Sequence, residues 1–211
     1  MRPRRMIDTH TADGTIESVP EHRETRGASR YDAVIATLVG FLALCVSGYT
    51  AYMQRQQVRA AVWPILEYQT SNDSDIHFTL ANKGVGPAII KNVIVQVDGQ
   101  PVKNWWKVLE IWLGPGEHHG SESDISGYVL AAGESKTIFT PFDPGTGKPF
   151  VFDKSNPRWE KMNKDREHVT VEICYSSTLG ECWTLRAGGS TPSTTTETRH
   201  CPTRSAISFE Q

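Results

Sequence analysis

The stretch from Ala33 to Met53, 21 residues without a charged side chain, constrains this chain more than any other feature. A helix rises about 1.5 Å per residue, so these residues span roughly 30 Å, the thickness of the hydrocarbon core of a bilayer. Its most polar side chains, Thr37, Ser47 and Thr50, do not amount to the polar face of a soluble amphipathic helix. Its length, with 32 residues before it, disfavours a cleaved signal peptide. The sequence therefore predicts a permanent transmembrane helix.

The basic residues on either side of this stretch predict its orientation. Those nearest to it are Arg23, Arg26, Arg30, Arg55 and Arg59. The side with more lysine and arginine is normally cytoplasmic. Three arginines lie before the stretch and two after it, which predicts the N-terminus in the cytoplasm and residues 54–211 outside. Residues 1–30 contain six arginines, five acidic residues and few large apolar ones. This composition predicts a disordered cytoplasmic tail.

The end of the helix and the later domain boundaries follow from composition. Pro64 lacks an amide proton and restricts the residue before it, so the helix should end near Val62. We expect the transmembrane helix and its extension over residues 31–62 and a β domain over residues 63–187. Residues 188–211 are rich in Ser and Thr and should form a flexible tail.

Small residues recur along the predicted transmembrane helix at a spacing that allows two helices to approach closely. They are Ala36, Gly40, Ala43, Ser47 and Ala51. Membrane helices are generally rich in Ala and Gly, so this spacing also has an ordinary explanation. The lipid bilayer is the first predicted partner, and a homodimer through these small residues is a second possibility.

An alternation of apolar and polar residues begins after the helix and is typical of half-buried strands. Asp98-Gly99 suits a tight hairpin turn, and the sequence around Lys91 departs from period two, which predicts a β-bulge. The apolar positions predict a core of Ile76, Phe78, Leu80, Val93, Val95, Val97, Ile138, Val169, Val171, Ile173, Tyr175, Trp183 and Leu185.

Two segments have helical rather than strand periodicity. One is Asn104 to Leu113, where Trp105, Val108, Leu109 and Trp112 share an apolar face. The other is a short charged segment over residues 156–165. The tryptophan stripe has two interpretations: it packs into the core, or Trp105, Trp106 and Trp112 form an exposed interaction patch.

The sequence offers little support for catalysis or for a bound cofactor. Glu117, His118 and His119 form a compact group in a polar loop, but a zinc site needs three or four ligands at a recognisable spacing. The glycine-rich residues 143–149 lack the order of a phosphate-binding loop. The net charge of −2 argues against nucleic-acid binding. We therefore expect no enzyme activity, no metal and no cofactor. The alternative is a metal-dependent or hydrolytic enzyme that uses His118, His119 and the nearby acids Glu117, Glu122 and Asp124.

The segment from His168 to Arg186 predicts a hairpin of two strands, with Cys174 and Cys182 on its outer face. A cross-strand disulfide forms if these two residues lie opposite each other. The other possibility joins Cys201 to one of them. Three cysteines in an outer domain leave at least one thiol over. A redox-active cysteine pair is less favoured, because the sequence has no CxxC motif.

Two resemblances extend this interpretation. Phe78–Val102 and Ala131–Phe139 carry an Asn-x-Gly turn, a strand ending in Asp-Gly and a Gly-Glu-Ser turn. In these features the sequence resembles bacterial CARDB-like, immunoglobulin-like extracellular modules. The resemblance implies an immunoglobulin-like β-sandwich, into which the Trp-rich helix is inserted.

The second resemblance covers most of the chain and is to a group of uncharacterised bacterial single-pass membrane proteins. Its motifs are Trp63–Tyr68, the segment Gly84–Ile89, and a hairpin containing Ile173–Ser176 and Cys182-Trp183, followed by Cys201. The group has cysteine where this chain has Ser176. The resemblance therefore implies that one of the three cysteines of the outer domain has no cysteine to pair with in this chain. The resemblance implies the same topology and fold but no particular activity.

Together these observations predict a mainly β protein, an immunoglobulin-like β-sandwich with a short inserted helix, preceded by one transmembrane helix. The expected location is the bacterial inner (cytoplasmic) membrane, with the C-terminal domain in the periplasm. We expect a binding or scaffold module without catalytic activity, whose partner is another envelope protein. A single-pass sensor that signals through its N-terminal tail is a further alternative.

Overall fold

The computed structural model describes residues 29–189, 192–202 and 207–210. The chain divides between Thr50 and Ala51 into two units. The predicted cytoplasmic tail, residues 1–30, lies outside the described residues except for its last two.

The first element is one continuous helix, α1 (Ser29–Ala61). It is long and apolar enough to cross a membrane, and its described side chains are exposed over the whole length. The predicted helix end is confirmed, because α1 stops at Ala61, three residues before Pro64. A Cβ atom added at Gly40 would meet nothing within 4 Å, so this position leaves room for a second helix. The homodimer stays a prediction.

The rest of the described chain is mainly β, as predicted. In chain order the elements are β1 (Leu66–Ser71), β2 (His77–Asn82), β3 (Ala88–Val97), β4 (Gln100–Val102), α2 (Trp105–Leu113), β5 (Gly120–Glu122), β6 (Val129–Leu130), β7 (Ser135–Asp143), β8 (Lys148–Pro149), α3 (Pro157–Asp165), β9 (Val169–Ser176), β10 (Cys182–Gly188) and β11 (Thr194–Thr198). A 3₁₀ turn, Arg166–His168, leads into β9.

These strands form two antiparallel sheets. The first has the order β1-β2-β7-β5, with β8 paired to β7, and the second has the order β11-β10-β9-β3-β4, with β6 paired to β3. The predicted hairpin turn and bulge are both confirmed. Asp98 and Gly99 join β3 to β4 with φ angles of 53° and 78°, and the register between β3 and β9 shifts between Ile90 and Asn92.

The two sheets contribute side chains to one apolar core. All thirteen residues predicted for it are buried, because the period of two in each strand turns every second side chain inward. The helix α2 adds to this core. It begins after Asn104, whose side chain accepts a hydrogen bond from the Lys107 N–H at 2.9 Å and so caps the first turn.

The three tryptophans of α2 do not form a shared exposed patch. Trp105 and Trp112 are buried, whereas Trp106 is 37% exposed. The Trp105 ring stacks in parallel on Phe139, with ring centroids 4.5 Å apart. Helical spacing explains the difference, since residues 105, 108, 109 and 112 share one face and residue 106 is rotated away from it by about 100°. The core-packing interpretation therefore holds for two of the three residues.

The segment predicted as a flexible tail contains ordered structure in its described part. Thr194–Thr198 forms β11 and pairs with β10, and Phe209 is buried against the ring of Trp105. The strand was missed because its side chains are almost all exposed, so no apolar alternation marks it. Threonine favours strands through its branched Cβ, and that was the available signal.

Candidate functional site

The connection between α1 and the first strand is fixed against a second segment of the domain. Residues 62–65 lie beside the turn of residues 82–87, and we call these two segments the junction. The amide of Lys83 donates to the Ile65 carbonyl at 2.7 Å, and the amide of Val85 donates to the Trp63 carbonyl at 3.0 Å. These backbone bonds extend the pairing of β1 with β2 up to the end of the helix.

The Asn82 side chain holds the junction together from inside. It is fully buried. Its Oδ1 accepts hydrogen bonds from the amides of Ile65 at 3.2 Å and Gly84 at 3.0 Å. Its Nδ2 donates to the carbonyls of Gly86 at 2.8 Å and Leu130 at 3.1 Å. One amide group thus makes hydrogen bonds to four backbone groups from three parts of the chain.

Two glycines allow the backbones of the junction to approach closely. A Cβ atom on Gly84 would collide with backbone atoms of residues 63–65, and a Cβ atom on Gly86 would collide with the Val62 carbonyl. Neither glycine has a positive φ angle. The requirement for glycine is therefore one of space, not of backbone conformation.

The hairpin formed by β9 and β10 packs against the same end of α1. The Trp183 ring stacks on Trp63 with centroids 6.5 Å apart and a tilt of 21°, and it also stacks on Tyr175. The guanidinium of Arg59 forms an ion pair with Glu181, which lies just before β10. The last turn of the helix is thus joined to the domain by apolar and ionic contacts.

The junction brings together the segments on which the second resemblance rests. Trp63–Tyr68 and Gly84–Ile89 pair through the backbone bonds above, and Trp183 of the cysteine hairpin stacks on the first of them. In the sequence, Trp63 lies 21 positions before Gly84 and 120 positions before Trp183. No periodicity links them, so only the tertiary structure shows that they form one site.

The three cysteines of the domain lie close to this site. The sulfurs of Cys174 and Cys201 are 2.9 Å apart, and both residues are free thiols in this structure. Burial raises the pKa of the Cys201 thiol, and the neighbouring thiols Cys174 and Cys182 raise it further. A raised pKa keeps Cys201 protonated and makes it a poor nucleophile. This arrangement suits a structural disulfide better than a redox-active pair.

The strand register argues against a Cys174–Cys182 disulfide, and the 2.9 Å between the Cys174 and Cys201 sulfurs favours that pair instead. Cys182 lies opposite Ser176, and Cys174 lies opposite Thr184. Cys174 and Cys182 are therefore diagonal neighbours, about 7–8 Å apart, whereas a disulfide needs Cβ atoms roughly 4 Å apart. A cysteine at position 176 would face Cys182 directly.

We expect the chain, once oxidised, to contain a Cys174–Cys201 disulfide and a free Cys182. Peptide mapping under non-reducing conditions should show this pair, with Cys182 alkylated only after unfolding. Closing the 27-residue separation between Cys174 and Cys201 should stabilise the domain by about 3–4 kcal/mol. Cys182→Ser should keep the disulfide and Cys201→Ser should lose it. A peptide pair linking Cys174 to Cys182 would contradict this register argument.

The histidine loop lies at a different part of the domain, beside an open cavity of about 650 Å³. Glu117, His118, Arg158 and Lys161 line this cavity, together with buried Trp112. His118 Nε2 lies 2.7 Å from the Gly114 carbonyl. The structure thus brings Glu117 and His118 together with two basic side chains that sequence reasoning did not connect to them.

Both basic side chains at this cavity already have acidic partners. Arg158 donates to Asp143 at 2.7 Å, and Lys161 pairs with Asp165. Burial opposes ionisation of Asp143, but hydrogen bonds from Gly145, Arg158 and Asn156 outweigh it and lower its pKa. The carboxylate therefore stays charged and keeps Arg158 occupied.

The other members of the predicted histidine group lie outside this cavity. His119, Glu122 and Asp124 are exposed and do not line the cavity. Within the described ranges, no group of three histidine, cysteine or acidic side chains is arranged to hold a metal ion. The five residues proposed for a metal-dependent or hydrolytic site do not converge.

Comparisons with known proteins add no identification: no protein family, no curated protein and no solved structure matches this chain.

Proposed function

We propose that this protein is a membrane-anchored, extracytoplasmic binding or scaffold module without catalytic activity. The observation that carries the proposal is the junction. A helix that is long and apolar enough to span a bilayer ends three residues before a buried proline, and the following backbone is hydrogen-bonded directly to the β domain. Such a connection leaves no flexible linker between the end of the helix and the β domain.

The proposed topology is a single-pass protein of the bacterial inner membrane, with its N-terminus in the cytoplasm and the β domain in the periplasm. The arginine distribution around α1 supports this orientation. The Cys174 and Cys201 sulfurs are 2.9 Å apart, and the disulfide that we expect between them would also support it, since structural disulfides persist in oxidising compartments. Two antiparallel sheets around one core support an immunoglobulin-like sandwich as the fold of the outer domain.

Reporter fusions test the anchor and its direction. Alkaline phosphatase fused after residue 211 should be active and should fractionate with membranes. A fluorescent protein that folds only in the cytoplasm should not fluoresce when it is fused at the same position. Deleting residues 33–53 should move the fusion to the soluble fraction and abolish the phosphatase signal. Phosphatase activity confined to an N-terminal fusion would overturn the orientation.

A binding role predicts a defined protein partner in the envelope. A photo-crosslinking side chain placed at exposed Val129, in the full-length chain and in living cells, should give one reproducible adduct. The same group at Thr37, within the membrane span, serves as the matched control and should not give that adduct. Adducts that vary with expression level, or that are identical at both positions, would count against a specific partner.

The junction also supports a second candidate, a sensor that signals through α1. The Arg59–Glu181 ion pair and the Trp63–Trp183 stacking link the hairpin to the last turn of the helix. A shift of the domain would therefore be transmitted to α1. A partner that binds residues 1–30 only when the junction is intact would favour this candidate over a scaffold.

A further inference from the structure

A small cavity lies next to the junction, where the hairpin meets the last turns of α1. Its volume is about 300 Å³. It is open to solvent, and two tryptophans, two glutamates and one arginine dominate its lining. The full lining is Gln56, Arg59, Ala60, Trp63, Glu181, Trp183 and Glu197.

The aromatic walls of this cavity suit a cation. Trp63 and Trp183 are nearly parallel, and Trp63 is 51% exposed although it is a large apolar side chain. Indole faces carry negative electrostatic potential and attract ammonium groups within about 6 Å of the ring centroid. Trp63 is exposed and is held in position by the buried Trp183, so its ring is already placed to contact an ammonium group.

The charges of the cavity leave one carboxylate available. Arg59 and Glu181 form an ion pair and neutralise each other. Glu197 lies opposite Trp183 in the pairing of β10 with β11. It is exposed, and no described side chain forms an ion pair with it. The cavity therefore has a net charge of −1, placed beside the indole rings, which complements a ligand with one positive charge.

The distance from the apolar stretch indicates which cation is within reach. Gln56 and Arg59 follow Met53, the last residue of the apolar stretch, by three and six positions, which is about 4.5 and 9 Å along a helix axis. The headgroup layer adds roughly 5–8 Å to each side of the hydrocarbon core. The cavity thus begins at the depth of the phospholipid headgroups. Leu179, at the tip of the same hairpin, is 50% exposed, as suits an interfacial position.

We propose that this cavity binds the ammonium end of an aminophospholipid headgroup. Glu197 is its counter-ion, and the exposed ring of Trp63 is its cation–π surface, which the buried Trp183 holds in position. This assignment rests on the membrane anchorage proposed above. It gives the module a lipid partner in the headgroup layer, in addition to any protein partner.

The test uses the full chain in detergent micelles with ¹⁵N-labelled tryptophan. A short-chain phosphatidylethanolamine is titrated in, with phosphatidylglycerol and water-soluble phosphoethanolamine as parallel arms. The indole N–H signals of Trp63 and Trp183 should shift with phosphatidylethanolamine and not with phosphatidylglycerol. Phosphoethanolamine should bind at least tenfold more weakly than the lipid, because it lacks the membrane-bound part of the ligand.

Charge removal provides the decisive comparison. Glu197→Gln should raise the apparent Kd for phosphatidylethanolamine at least tenfold, whereas Glu122→Gln, an exposed acid of the other sheet, should leave it unchanged. Trp63→Leu should abolish the response at Trp183, with Trp106→Leu as the matched control. The remaining indole signals report whether each variant is folded.

Three results would overturn the proposal. They are equal shifts with both lipids, a Kd for Glu197→Gln within twofold of the unaltered chain, and binding of phosphoethanolamine as tightly as the lipid, which would assign the site to a free amine. Failure of the proposed anchorage can be distinguished from failure of lipid binding. If the chain is not anchored as proposed, the reporter fusions above give a soluble or inverted protein. A correctly anchored chain without lipid preference refutes this inference alone.

Discussion

Replacing Asn82 by alanine should lower the free energy of unfolding of the β domain by about 3–5 kcal/mol. The side chain is fully buried and makes four hydrogen bonds to backbone groups. Each bond contributes about 1 kcal/mol net, and every partner left unpaired in a buried region adds a desolvation cost. Urea unfolding of the full chain in micelles, followed by tryptophan fluorescence, measures this loss.

The control for this substitution is Asn72→Ala. Asn72 is half-buried, and its amide donates to Asn163 at 2.6 Å, so its loss should cost no more than about 1 kcal/mol. Asn82→Asp tests the acceptor and donor sides of the amide separately. An aspartate oxygen can still accept the two hydrogen bonds made to Oδ1, but the two hydrogen bonds donated by Nδ2 are lost. A stability of Asn82→Ala within 1 kcal/mol of Asn72→Ala would show that water replaces the amide and that the junction does not depend on it.

Replacing Gly86 by alanine should open the junction and destabilise the domain by about 2–4 kcal/mol. The new Cβ atom would collide with the carbonyl group of Val62. The backbone fixes the position of the Cβ atom and the carbonyl is itself a backbone group, so a side-chain rotation cannot relieve the collision, and residues 62–65 have to move. We expect faster trypsin cleavage after Arg59, because this residue then loses its fixed position next to Glu181.

The matched control is Val85→Ala, in the neighbouring position of the same turn. The Val85 side chain is 65% exposed, so its truncation should change stability by less than 0.5 kcal/mol and leave the cleavage rate unaltered. If Gly86→Ala and Val85→Ala behave alike, the turn tolerates a side chain and the close approach at Val62 has no energetic role.

The fold was accessible from the sequence wherever a local pattern coincided with burial. Ile76, Phe78 and Leu80 were predicted correctly because a period of two turns them to one side, and that side is the core. The strand Thr194–Thr198 was missed for the opposite reason, since it lies at a sheet edge with nearly all of its side chains exposed. Trp106 was grouped with Trp105 by sequence adjacency, although helical geometry separates their faces.

The candidate sites were less accessible, because they consist of contacts between distant segments. The sequence identified Cys174, Cys182 and Cys201 as disulfide candidates but not the pairing, since the register of β9 with β10 depends on the loop between them. Asn82 carried no signal at all: an asparagine in a turn is ordinary, and its four partners come from three parts of the chain. Glu197 was part of an apparently unstructured tail until β11 placed it beside Trp183.

The sequence by itself determined the properties that depend on composition and short-range periodicity. These are the length of an uncharged helix matched to a bilayer, its end before Pro64, and the alternation that makes the rest of the chain a β domain. Only the tertiary structure decided that the end of the helix, the turn of residues 82–87 and the cysteine hairpin meet at one junction. The physical reason is that hydrogen bonds to Asn82, close approach at Gly86 and stacking of Trp63 on Trp183 are long-range contacts. Their partners are selected by strand register and chain path, which no local pattern encodes.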